Sequence, residues 1–156
     1  MKLLAKPPRI KVLEALGSIG DGRVHVINER SALVDSSERD RRYRVFLVEK
    51  GGGEFLAYSD DNGTIHRGYI GYPILAFMIL RNYLPLDNEL AMALAGIPWR
   101  ELNTRYKNYM IVENIVLSRL EKSGVSRSVA DDYINIVLKK LSLMKVWFDD
   151  SIAREA

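Results

Sequence analysis

Two periods divide the chain. Between residues 24 and 58 apolar positions alternate with polar ones, the period of strands; from Pro73 onward they recur every three or four positions, the period of helices. Residues 41–48 give the clearest strand, with Tyr43, Val45 and Leu47 on one face and Arg42, Arg44, Phe46 and Val48 on the other. A shorter strand alternates Val24 and Val26 with Arg23 and His25, residues 32–35 form another, and 54–58 returns after Gly51-Gly52-Gly53. Short strands joined by tight loops predict antiparallel pairing. Ahead of them, residues 9–16 read as a short helix behind Pro7-Pro8, ended by Gly17 and Gly20.

Pro73 suits the first turn of a helix, where a missing N–H costs nothing, and residues 74–80 are apolar on every side. That pattern predicts a buried central helix. Pro85 ends it, Asp87 caps a helix through Leu94, and Pro98 starts another. Tyr106, Tyr109, Met110, Val116, Leu117 and Leu120 then keep helical spacing to Gly124. Ser128 and Asp131 make a capping-box pair for a last helix lined by Tyr133, Ile136, Val137, Leu141 and Met144. The expectation is an α+β fold: a small antiparallel sheet packed on a buried helix, then a helical half. One domain spans 1–156, sheet-rich over 1–70 and helical over 71–148.

Composition narrows the function. With 47% hydrophobic and 28% charged residues, the 156-residue chain is long enough for its own core. The absence of cysteine removes disulfides, thiolate zinc sites, iron–sulfur clusters and cysteine nucleophiles. A cytoplasmic protein is the default. The N-terminus lacks the pattern of a signal peptide, and the apolar run 74–80 falls far short of the roughly 20 residues that span a bilayer, so no membrane partner is expected. No cofactor and no metal is implied.

Charge adds a candidate surface. Residues 1–50 hold 11 Lys+Arg against 7 Asp+Glu, whereas 51–100 hold 3 against 5. The excess peaks at Arg39, Arg41, Arg42 and Arg44, a cluster that would attract nucleic acid, DNA or RNA. A solvated strand face paired with Glu38 and Asp40 is the simpler account of the same residues.

The polar segment 58–73, YSDDNGTIHRGYIGYP, is the other focus. Asp60, Asp61 and His66 have the makings of a divalent-ion site that activates water. Against that, Asn62-Gly63 after a strand is a strong hairpin-turn signal, and the turn is the favoured account. Gly68, Gly71 and Pro73 at a helix start read first as a tight strand-to-helix connection that needs glycine; Arg67 beside them keeps anion binding at exposed N–H groups as the alternative, although no dinucleotide or P-loop fingerprint is present. Trp99 reads as a packing residue. Trp147 and Phe148, if exposed at the end of the last helix, mark a partner surface.

Residues 36–80 resemble the two-strand-plus-helix layout of SWIM-type zinc modules. That family places CxC after its second strand and CxH before its helix; here AYSDD and GYIGYP stand there, without the ligands. The resemblance implies a nucleic-acid or protein partner. The whole chain is also similar to an uncharacterised conserved family of heat-loving archaea, in keeping with its lack of cysteine and glutamine.

The functional expectation is therefore a non-enzymatic nucleic-acid-associated or regulatory module. Arg41, Arg42, Arg44 and Arg67 would contact phosphates, with Tyr43, Tyr69 or Tyr72, where exposed, stacking on bases. The alternative is an interaction subunit that uses Trp147 and Phe148 toward a protein partner or a second copy. A metal-dependent hydrolase at Asp60, Asp61 and His66 comes third.

Overall fold

The computed structural model describes residues 1–154. β1 (Lys2–Leu3) precedes α1 (Arg9–Gly20), and four strands follow: β2 (Val24–Asn28), β3 (Ser31–Asp35), β4 (Arg42–Gly51) and β5 (Glu54–Ser59). Next come α2 (Asn62–Ile65), α3 (Tyr72–Leu80), α4 (Asn88–Ala93), α5 (Trp99–Tyr106), α6 (Tyr109–Lys122) and α7 (Arg127–Ser142). β6 (Lys145–Phe148) and α8 (Ser151–Arg154) follow. The class is α+β.

The six strands lie in the order β1-β6-β5-β4-β3-β2. β2 to β5 form an antiparallel meander, as their short loops imply. β6 then joins parallel to β5, with Phe55 opposite Val146 and Ala57 opposite Phe148. The sheet thus recruits a strand from the helical half. Trp147 and Phe148 lie on this strand and not at a helix end: the parallel register uses the apolar tail of the chain to extend the sheet. Trp147 Nε1 donates to Glu54 Oε1 at 3.4 Å, and the Phe148 ring lies 5.7 Å from that of Tyr58.

α3 is buried along almost its whole length, as its uniformly apolar sequence requires. It packs between α1 and the inner face of β4 and β5, where Val45, Leu47, Phe55 and Ala57 point. One hydrophobic cluster joins these to α4, α6 and α7. Among the described residues no helix is long and apolar enough to cross a membrane.

Several local expectations are overturned. Asn62-Gly63 opens α2 instead of a hairpin: Asp61 caps that helix, its Oδ2 accepting from Thr64 N at 3.1 Å, and Gly63 does not adopt a positive φ. Arg23 stands just before β2 and is buried, while Val26 is 51% exposed. β2 is the sheet edge, so its alternation does not mark a core face. The helical spacing across 106–120 is broken at Lys107, which takes a left-handed φ of 49° before Asn108 caps α6. Ser126, not Ser128, precedes α7, and Asp131 accepts instead from Arg9 Nη2 at 2.7 Å.

Candidate anion-binding cavity

A cavity of about 590 Å³ opens between α1, the β3–β4 loop, the α2–α3 segment and α5. Its wall carries five cations (Lys11, Arg23, Arg67, Arg100 and Lys107) against two carboxylates, Glu14 and Asp61. Both carboxylates are already engaged. Asp61 Oδ1 accepts from Thr64 Oγ1 at 2.8 Å while its other oxygen caps α2. Glu14, buried on α1, accepts from Lys11 Nζ at 3.1 Å and from Asn103 Nδ2 at 2.7 Å. Lys11 with Glu14, Arg23 with Asp21, and Arg100 with Asp40 and Glu38 are likewise paired, which leaves Arg67 and Lys107 as the uncompensated cations of the wall among the described residues.

Two arginines form one side. Arg23 is 1% exposed; its Nε donates to Asp21 Oδ2 at 3.0 Å and its Nη1 to the Asp35 carbonyl at 2.8 Å. Its guanidinium lies 5.9 Å from the centre of the Tyr72 ring, which meets Tyr43 edge-on. Burial pushes the Tyr72 hydroxyl well above the ordinary phenol range, so it stays protonated. Arg100, in the first turn of α5, sends Nη1 to Asp40 Oδ2 at 2.7 Å and Glu38 Oε2 at 3.0 Å. The Arg100 hydrogen bond, helped by Ser36, holds the Asp40 carboxyl down to about 2.

The opposite side is built by α1 and the α2–α3 segment. Gly63 is needed here, because a Cβ at that position would fall 2.5 Å from the Tyr69 ring. That close approach sets Tyr69 with its hydroxyl 3.4 Å from that of Tyr109. Burial and the Tyr109 hydroxyl raise the Tyr69 pKa. Lys11 Nζ lies 5.2 Å from the centre of the Tyr109 ring. Burial alone would pull the Lys11 ammonium down, but Glu14 and Tyr109 hold its pKa above the usual lysine value, so it remains a cation. Arg67 and Lys107 are exposed cations of the wall with no ion pair among the described residues.

One feature of this wall is unlike the rest of the protein. Among the described residues, five buried side-chain polar atoms have no hydrogen-bond partner within the protein, and four belong to the wall: Arg23 Nη2, Arg100 Nη2, Trp99 Nε1 and Asn103 Oδ1. An unpaired buried donor or acceptor costs about 1–3 kcal/mol, so folds rarely hold several in one place.

Of the residues singled out from sequence, Asp61, Arg67, Tyr69, Tyr72 and Trp99 line this cavity, while Arg41, Arg42, Arg44, Trp147 and Phe148 lie outside it. Arg42 Nε is taken by Asp35 Oδ1 at 2.8 Å, and that pairing lowers the Asp35 pKa and raises that of Arg42. Arg44 lies 5.2 Å from the centre of the Phe46 ring and donates to the Ala153 carbonyl. Arg41 is exposed. Asp60 accepts from Arg44 N, Asp61 serves α2 and His66 is exposed; no group of three or more acids and histidines suited to a metal occurs among the described residues.

Sequence reasoning missed Lys11, Glu14, Arg23, Arg100 and Asn103; Trp99, read as a packing residue, is buried in the core cluster and also lines the cavity. One signal was available: Glu14 interrupts the apolar run VLEAL, and a carboxylate inside such a run needs buried partners. The cavity residues fall between positions 11 and 109, within the stretch 4–147 that matches the family described as uncharacterised conserved protein UCP014422, and the chain belongs to that family. No curated protein and no solved structure matches the chain.

Proposed function

We propose that the protein is a binding module for a phosphate-bearing ligand taken into the cavity between α1 and α5. One observation carries this reading: unpaired buried donors of Arg23, Arg100 and Trp99 belong to the wall of a cavity whose cations outnumber its carboxylates. An anionic group with several acceptor oxygens would satisfy the two guanidinium donors with short, charge-assisted bonds. The volume lies within the range typical of small-molecule sites. Thermal unfolding in rising inorganic phosphate and ribose 5-phosphate tests it, against sodium chloride of matched ionic strength. Saturable stabilisation by ribose 5-phosphate, lost in Arg100→Ala, is expected; identical melts in ribose 5-phosphate and chloride would refute it.

Contact with nucleic acid remains the second reading, favoured by the β3–β4 loop: Ser36 and Ser37 line the cavity, and the same loop carries exposed Arg39 and Arg41. Phosphates tracking into the cavity would meet these first. Arg42 and Arg44 are already engaged, and Arg39 itself donates to the Asp21 carbonyl at 2.9 Å, so Arg41 is the freest cation of this face. Labelled single strands titrated across a salt series test it: Arg39→Ala with Arg41→Ala should flatten the salt slope of log K by about 1.4, and an unchanged slope would remove this reading. A cytoplasmic setting in a heat-loving archaeon fits the composition and the ion pairs that tie Arg9 of α1 to Glu113 of α6 and Asp131 of α7.

A further inference from the structure

α7 carries more apolar surface than its place in the core uses. Ala130, Tyr133, Ile134, Val137 and Leu141 fill the side that packs on the hydrophobic cluster. A second stripe faces solvent: Val129, Ile136 and Leu143 are 43%, 49% and 79% exposed. They recur every seven residues, a spacing that drifts by only ~20° around an α-helix, and Leu143, the C-cap, keeps a right-handed helical backbone, so the three lie in one row. Asp132 and Lys139 are also exposed, each three residues after a member of the row, and so stand along the same flank of it. Neither has an ion-pair partner among the described residues. About 10 Å of helix separates them, too far for them to pair with each other.

We propose that this face docks a second copy of the chain, with the two α7 helices antiparallel about a two-fold axis beside Ile136. The row and its charges are self-complementary under that operation. Reversal about Ile136 brings this residue level with its own copy, and Val129 level with Leu143 of the second copy, because both lie seven residues from the centre. A two-fold axis perpendicular to both helices keeps each flank on its own side. Asp132, four residues before the centre, then meets Lys139 of the second copy, three residues beyond its own centre, with ~1.5 Å of helical rise between them. Symmetry makes this ion pair twice. A parallel arrangement would instead set Asp132 level with Asp132 and Lys139 level with Lys139, which like charge disfavours. No residue of α7 lines the cavity, so the dimer does not depend on phosphate binding.

Sedimentation velocity of the full chain over a concentration series tests this. A reversible monomer–dimer equilibrium is expected, with Ile136→Glu monomeric throughout, because two carboxylates would then face each other at the axis. Asp132→Lys and Lys139→Asp should each raise the dimer Kd by about tenfold, since symmetry turns two ion pairs into two repulsions. The double variant, Asp132→Lys with Lys139→Asp, re-forms both pairs and should bring Kd back to within about threefold of the parent. The charge swap alters only exposed side chains, so the test stands even if Ile136→Glu folds poorly. A parent that stays monomeric at every concentration would overturn the proposal. A dimer untouched by Ile136→Glu would overturn it by placing the interface elsewhere. A double variant that dimerises no more tightly than either single variant would refute the antiparallel pairing. Growth beyond the dimer would also contradict it, because a two-fold interface closes on itself.

Discussion

Asn103 of α5 donates its side-chain amide to Glu14 of α1 at 2.7 Å, and the same carboxylate holds Lys11 at 3.1 Å. This bond ties the late helical half to the first helix and leaves the Asn103 oxygen unpaired in the cavity wall. Glu14 is 3% exposed, so it is a buried charge compensated by two partners. Glu14→Ala should destabilise the protein by about 3–5 kcal/mol, because Lys11 is then left buried without its counter-charge. Lys11→Met with Glu14→Ala should cost less than Glu14→Ala alone. Urea unfolding of the parent and the two variants measures this; a double variant no more stable than Glu14→Ala would mean that the pair is not a compensated unit.

Gly63 and Tyr69 make a second testable contact. A methyl group at position 63 would overlap the Tyr69 ring, and α2 and Tyr69 must then shift together. Gly63→Ala should cost about 1–3 kcal/mol, as overpacking of a buried site does. A hairpin glycine with positive φ would instead accept Asn better than Ala. Equal stability of parent and Gly63→Ala, by denaturant unfolding, would contradict the placement of Tyr69.

The pH dependence of stability isolates Asp40. Its folded pKa is about 2, lowered from an ordinary value of 3.8 chiefly by Arg100. A depressed carboxylate pKa gives stability that is present above the unfolded value and lost as pH falls through the folded one. Stability should therefore decline between about pH 4 and pH 2, and the decline should be shallower in Asp40→Asn. Unfolding midpoints across that window decide it; parallel curves for parent and variant would show that the Arg100–Asp40 bond is not maintained in solution.

The sequence carries the frame of this protein better than its site. The alternation of Val45 and Leu47 and the unbroken apolar run 74–80 are statements about burial, and burial is what periodicity reports. β6 was hidden because a parallel strand is paired across the whole chain, and no local pattern marks that register. The cavity was hidden for a similar reason. Arg23, Arg67 and the α5 pair Arg100 and Asn103 sit in three different segments, and of these only Arg67 belongs to the polar stretch 58–73 that drew attention. The arginines most conspicuous in sequence are already engaged: Arg42 by Asp35 of β3, and Arg44 by Phe46 of its own strand and the distant Ala153 carbonyl. Position 62–63 misled because Asn-Gly satisfies a hairpin turn and a capped helical turn alike, and Asp61 with Thr64 decides between them.

The most direct test of the cavity's role is calorimetric titration of ribose 5-phosphate into the parent and into Arg100→Ala at low salt. One-to-one binding is predicted for the parent. Loss of a charge-assisted bond worth about 1.5–3 kcal/mol should weaken it by roughly 10- to 150-fold in the variant. No heat of binding in the parent, or equal affinity in the two proteins, would contradict the assignment of this cavity as a phosphate site.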